Sequence, residues 1–184
     1  MRIMVAEVWL ITGAQGSGKS TVADLLARRF ERGVHVRGGQ FYRWVVRGWV
    51  GFDDESQPEE ARRLLELRYR LSAGTAVEYA KAGFSCVVQD NIYGNDVLTW
   101  VEAVRPVPTH LVVLRPSVEV VTARDEARRL ATGKVAYRDG FTPEANDAHV
   151  ATTPRVGLWL DSSQQGAEET VAEILTRSTE SLVG

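Results

Sequence analysis

The run Gly13-Ala14-Gln15-Gly16-Ser17-Gly18-Lys19-Ser20-Thr21 concentrates the most specific chemistry of the chain. It has the spacing G-x-x-x-x-G-K-[ST], in which each residue type has a physical job. Glycines let successive backbone N–H groups converge on an anion with no Cβ in the way. A helix opening near Lys19 adds its positive end. Lys19 is long enough to reach β- and γ-phosphates, Ser20 offers a hydroxyl to Mg²⁺, and Thr21 offers one to a nearby phosphate. The nine residues therefore read as a nucleotide-binding loop, with Lys19 also catalytic, Ser20 a metal ligand, and ATP and Mg²⁺ as cofactors.

Two further sets of residues bear on the fate of a bound nucleotide. Val87-Val88-Gln89-Asp90-Asn91 is an apolar run that ends in an acid. Asp90 suits holding Mg²⁺ through a water, accepting the proton of an attacking hydroxyl, or simply capping a turn. Arg124 and Arg128 are four residues apart and share a helix face, with Arg129, Lys134 and Arg138 following. Phosphoryl transfer spreads negative charge over three oxygens, and arginines that close over it stabilise that charge. The competing reading is a solvated face paired with Asp125 and Glu126. Arg62, Arg63, Arg68 and Arg70 lie among glutamates and read as solvated. His35, His110 and His149 have no metal-ligand spacing and receive no role. Cys86, the single cysteine, reads as a small hydrophobe in a buried strand, which excludes an intrachain disulfide.

The elements that must position these groups follow from periodicity. Strands are expected at Val8–Ile11, Val34–Val36, Phe84–Val88, Leu111–Leu114 and Val156–Leu160. Between them fall helical patterns: one through Val22, Leu25, Leu26 and Phe30, stopped by Gly33, and one over Phe41–Trp49. A long helix opens on a Ser56/Glu59 capping box with Pro58 in its first turn and runs to Gly83. Others cover Asn95–Val104, Ser117 to about Leu130, a short stretch after Thr142-Pro143, and Ala167–Leu175. Strands separated by helices imply a parallel sheet in a three-layer α/β/α sandwich, with ligands at the carboxyl ends of the strands. The 184 residues, 44% hydrophobic and 25% charged, read as one domain, with a lid at about 128–142. A net charge of −2 from 22 basic and 24 acidic side chains argues against a nucleic-acid partner. No apolar run is long enough to span a bilayer, and Met1–Ile11 lacks a signal-peptide pattern, so a cytoplasmic protein is expected.

Taken in order, these pieces resemble the small P-loop kinases, specifically the chloramphenicol phosphotransferase-like group. The resemblance runs through the loop Gly13–Thr21, Arg37 to Trp44, Asp90-Asn91, Arg124-Asp125-Glu126-Ala127-Arg128, and a last strand ending in Asp161, Ser162 and Ser163. It implies ATP-dependent transfer of the γ-phosphate to a hydroxyl of a small molecule, an antibiotic or a metabolite. It also implies adenine near the segment after Leu160, and an acceptor site formed by Arg37, Gly39, Phe41, Tyr42, Trp44 and Tyr93; those aromatics equally suit a core. In that group a carboxylate just after the second strand activates the hydroxyl. Here that position is Gly39. Asp90 then does this work, or a loose transition state needs no strong base, or the chain binds nucleotide without transferring phosphate. A nucleotide or nucleoside kinase is the nearby alternative.

Overall fold

The computed structural model describes residues 6–137 and 141–183. Five parallel strands form one sheet in the order β2-β3-β1-β4-β5. They are β1 (Val8–Gly13), β2 (Gly33–Arg37), β3 (Ser85–Gln89), β4 (Thr109–Leu114) and β5 (Leu158–Leu160). Helices α1 (Lys19–Ala27), α2 (Gly39–Arg43), α3 (Pro58–Lys81), α4 (Asp96–Ala103), α5 (Val118–Thr132), α6 (Pro143–Ala151), α7 (Ala167–Thr176) and α8 (Ser178–Ser181) complete the fold. The expected α/β/α sandwich is thus the observed one.

Period-two alternation explains the layers. Val8 and Leu10 of β1 point into a core shared with Ala73, Ala76 and Trp100 of α3 and α4. Trp9 and Ile11 point the other way, into a core with Val22 and Leu26 of α1 and Val171 and Ile174 of α7. Cys86 lies within the first core with no exposure, and burial pushes its thiol up to about 12. His110 stacks on Trp9 at 3.8 Å between ring centroids and bonds Ser181 Oγ through Nδ1 at 2.8 Å, tying α8 to β4. Its task is structural.

Three boundaries differ from the periodicity, each for a local reason. The helix expected over Phe41–Trp49 stops at Arg43. The β-branched pair Val45-Val46 and Gly48, at φ +80°, do not sustain it. The capping box at Ser56 does not form, because Asp54 Oδ1 takes both the Ser56 amide (2.9 Å) and its hydroxyl (2.6 Å). Gln57 becomes the N-cap, with Pro58 as the first helical residue. Helix α1 ends at Ala27 rather than running to Gly33, which opens β2. Ser117 and Thr142, by contrast, cap α5 and α6 as their types predict, accepting from the amides of Val120 and Ala145.

The topology fixes where chemistry can occur. From β1 the chain crosses over to β2 at one edge, and from β3 to β4 on the other side of β1. The crevice between the carboxyl ends of β1 and β3 is therefore the switch point. Ile11 lies in register with Gln89, so the loops after Gly13 and after Gln89 leave the sheet side by side.

Candidate active site

The loop after β1 is built around glycines that only glycine can supply. Gly13 has φ +132°, and a Cβ there would lie 2.0 Å from the Leu114 carbonyl oxygen of β4. Gly18, the residue before α1, has φ +94°. The amides of Thr21 and Val22 donate to the Gly18 carbonyl at 3.1 Å each, while those of Lys19 and Ser20 precede the first intrahelical bond of α1.

Lys19 is 6% exposed, whereas lysine side chains ordinarily face solvent. Its ammonium folds back and donates to the carbonyl oxygens of Gly13 (2.7 Å) and Ala14 (2.6 Å). Burial removes water from the charge and brings its pKa down to about 7; Arg68 and Arg128 push the same way, and Asp90 opposes them. Those three charges are therefore close enough to be felt at Lys19. Ser20 Oγ donates to Gln89 Oε1 at 3.1 Å, which places two neutral oxygens at the mouth of the switch point.

Asp90 has no exposure, and its carboxylate is clasped by Arg68, whose Nε lies 3.1 Å from Oδ2 and whose Nη2 bonds Oδ1. Oδ1 also accepts the Asn91 amide at 2.7 Å. The carboxylate is thus held by a guanidinium rather than left open to a metal or a hydroxyl. Arg68 departs from the solvated face expected of α3: its side chain is only 12% exposed, and it lies over the ring of Tyr42 at 4.9 Å. Helical periodicity misses this, because a lone arginine at a helix position carries no mark of the strand end it will reach. Gly38 makes the pair possible, since a Cβ there would lie 1.9 Å from Asp90 Oδ2 and 2.3 Å from its Cγ. At Gly39 the nearest atom to a Cβ is Arg68 Nη2, 4.0 Å away.

The two arginines of α5 are placed differently from each other. Arg124 donates to the Ser17 carbonyl (3.2 Å) and the Ser162 carbonyl (2.9 Å), bridging the loop to the segment after β5. Together with Thr21 and Gly166 these residues line a cavity of about 340 Å³ beside the loop. The hydroxyls of Ser17 and Ser162 are buried there with no hydrogen-bond partner among the described residues. Arg128 binds Asp125, which also accepts the Ala136 amide at 2.8 Å. Burial works against that carboxylate's charge, but the Ala136 amide and Arg128 hold its pKa below the usual range. Beyond Gly133 the chain is pinned by Tyr137, whose hydroxyl donates to the Gln15 carbonyl at 2.5 Å. Arg138, in the expected lid, lies outside the described residues.

Asn146 of α6, fully buried, is a site residue that sequence reasoning did not single out. Its Oδ1 accepts the Gln15 amide at 2.7 Å, and its Nδ2 donates to the Tyr93 hydroxyl, which donates in turn to the Gly13 carbonyl at 3.0 Å. The shape of the loop is thereby set by β3's exit segment and α6 as well as by its own glycines.

Beyond Asp90 opens a cavity of about 350 Å³ lined by Phe52, Arg62, Arg68, Tyr69, Tyr93 and Phe141 among others. Of the expected acceptor residues it includes Tyr93. Arg37, Phe41 and Trp44 line a separate hollow on the far side of β2, with His35 and Tyr79. Tyr42 lies beneath Arg68 with its hydroxyl buried and unpartnered, and burial raises its pKa.

Residues 8–141 match the family model described as AAA domain. The chain is 29% identical, over 177 residues, to the probable adenylyl-sulfate kinase of Halalkalibacterium halodurans, covering 94% of this chain and 82% of that protein. The Mycobacterium tuberculosis APS kinase, solved with AMPPNP and APS, superposes with a TM-score of 0.67 at 17% identity, over 95% of this chain and 98% of that one. The tunicamycin resistance protein of Deinococcus radiodurans does so with a TM-score of 0.66 at 16% identity, over 97% and 99%. At these identities the structural likeness establishes the fold.

Proposed function

The chain belongs to the AAA domain family, and from that premise we propose that it is a small P-loop kinase that binds MgATP and passes the γ-phosphate to a hydroxyl of a small molecule. The observation that carries the reading is the meeting of the β1 loop and the β3 exit. Lys19, Ser20 and Gln89 stand on one side of the switch point, and a walled cavity lies on the other.

In this reading the amides of Gly13–Thr21 cradle the β- and γ-phosphates, and Lys19 exchanges two carbonyl oxygens for phosphate oxygens. The cavity bridged by Arg124 takes the base, against the buried Ser17 and Ser162 hydroxyls. Mg²⁺ fits the oxygen donors Ser20 Oγ and Gln89 Oε1, and when bound it supplies charge neutralisation across the phosphates. The acceptor's oxygen forms a bond to the γ-phosphorus as the bridging bond to the β-phosphate breaks. ADP leaves, and the hydroxyl proton passes to water. A loose transition state asks little of a base, which suits Gly39 at the position where the resemblance to the chloramphenicol phosphotransferase-like group implies an acid. Asp90 then positions Arg68 at the cavity wall and lends its charge to Lys19. A second reading, nucleotide binding without transfer, is favoured by that same Gly39.

The test is MgATP titration followed by ADP release across a panel of hydroxylated small molecules. Lys19→Ala should weaken nucleotide turnover by roughly 10² or more while the protein stays folded. Undiminished binding and turnover in that variant would overturn the reading. MgATP binding with no phosphorylated product would leave the second reading standing.

A further inference from the structure

The cavity beyond Asp90 contains two arginines, which suggests a site for an anionic acceptor until their partners are counted. Arg62 donates through both terminal nitrogens to Asp96 (2.9 and 2.7 Å) and through Nε to Glu66 (2.7 Å). Arg68 donates through Nε and Nη2 to Asp90, which has no exposure. Each guanidinium thus meets a carboxylate in the forked geometry that leaves it least free for another anion. Among the described residues, the two guanidinium groups are met by three carboxylates, Asp90, Asp96 and Glu66, so the formal charge of these five groups is −1. His149 is the remaining basic side chain of the wall, and it lies on the exposed rim, where water and salt screen it. An anion that captured Arg68 would leave the fully buried Asp90 carboxylate with only the Asn91 amide to hold it. The wall also carries four aromatic rings, Phe52 and Phe141, which meet edge to face at 5.8 Å, and Tyr69 and Tyr93, beside the uncharged Gln15, Leu65, Asn91 and Thr152.

We propose that the acceptor is an uncharged, hydroxyl-bearing molecule with a flat apolar body, held between these rings, and not an anionic one. This rests on the kinase reading above and narrows it. An adenylyl sulfate acceptor, for which the Halalkalibacterium relative is named, carries a phosphosulfate anion, and among the described residues of this wall the one basic side chain not paired with a carboxylate is His149 on the rim.

The experiment titrates matched pairs into the full chain loaded with MgAMPPNP: adenosine, thymidine and 2-phenyl-1,3-propanediol, each against its monophosphate ester. Ligand-observed NMR reads the affinities. The expected result is that the uncharged member of at least one pair binds, and does so about tenfold or more tighter than its ester. Asp96→Asn, which removes one charge facing Arg62, should shrink that ratio. The proposal is overturned if the esters bind as tightly as the alcohols or more tightly, or if no member of any pair binds. Failure of MgAMPPNP itself to bind takes down the kinase reading and this proposal together, whereas a preference for esters takes down this proposal alone.

Discussion

With Lys19 at the phosphates as proposed, nucleotide binding should be a proton-coupled event. Without ligand the Lys19 ammonium is buried against two carbonyl oxygens, and its pKa is down to about 7. At pH 8 a group with that pKa is protonated in only about one molecule in ten. Phosphate oxygens favour the charged form and return the pKa toward the ordinary lysine range. Binding at pH 8 should therefore take up about 0.9 proton per site, and affinity should weaken about tenfold for each pH unit above 8. The working range, pH 7.5 to 8.5, lies above the second ionisation of phosphate near pH 6, so Lys19 dominates the exchange. Isothermal titration in buffers of different ionisation enthalpy measures the uptake directly. Lys19→Arg keeps the positive charge and removes the titration, so its uptake should fall to near zero. Uptake below about 0.2 proton at pH 8 in the native chain, or equal uptake in Lys19→Arg, would refute the reasoning.

Asp90→Asn leaves the Arg68 guanidinium, 12% exposed, facing a neutral amide, and should cost about 3 kcal/mol in urea unfolding; an Arg68→Met, Asp90→Asn double variant should recover part of the loss. Gly13→Ala forces a Cβ into the Leu114 carbonyl and should lower stability by about 3 kcal/mol or more, read as a large fall in melting temperature with or without nucleotide. Asn146→Ala removes the acceptor of the Gln15 amide and the partner of the Tyr93 hydroxyl, and should cost about 1–3 kcal/mol, with weaker MgATP binding measured at a temperature where the variant is folded.

The phosphate loop and the order of elements were legible because both are local. Gly13–Thr21 is a contiguous pattern, and alternating apolar periods read directly onto Val8–Gly13 and its sheet neighbours. Caps at Ser117 and Thr142 were legible for the same reason. What escaped the sequence depends on distant segments meeting. Arg68 finds Asp90 across 22 residues, and Asn146 finds Gln15 across 131. The aromatic residues after β2 looked like an acceptor pocket, yet Arg37, Phe41 and Trp44 line a hollow with His35 and Tyr79 that is separate from the cavity lined by Arg68 and Tyr93. The burial of Lys19 was not legible either, because its ammonium is satisfied by the carbonyls of its own loop, Gly13 and Ala14.

The neighbours Gly38 and Gly39 look interchangeable on paper and obey different rules. Neither is in the left-handed region, so backbone conformation does not restrict either of them. At position 38 the obstacle is a buried carboxylate anchored by an arginine and a backbone amide, so every side chain, alanine included, collides with it. At position 39 there is room. A library randomised across both codons should lose almost every variant at 38 and keep many at 39, aspartate among them, whose carboxylate would reach toward Arg68 as a second suitor. A lineage could then acquire or shed an acid at 39 by a single base change without refolding the site, while the glycine at 38 stays fixed for as long as Asp90 does.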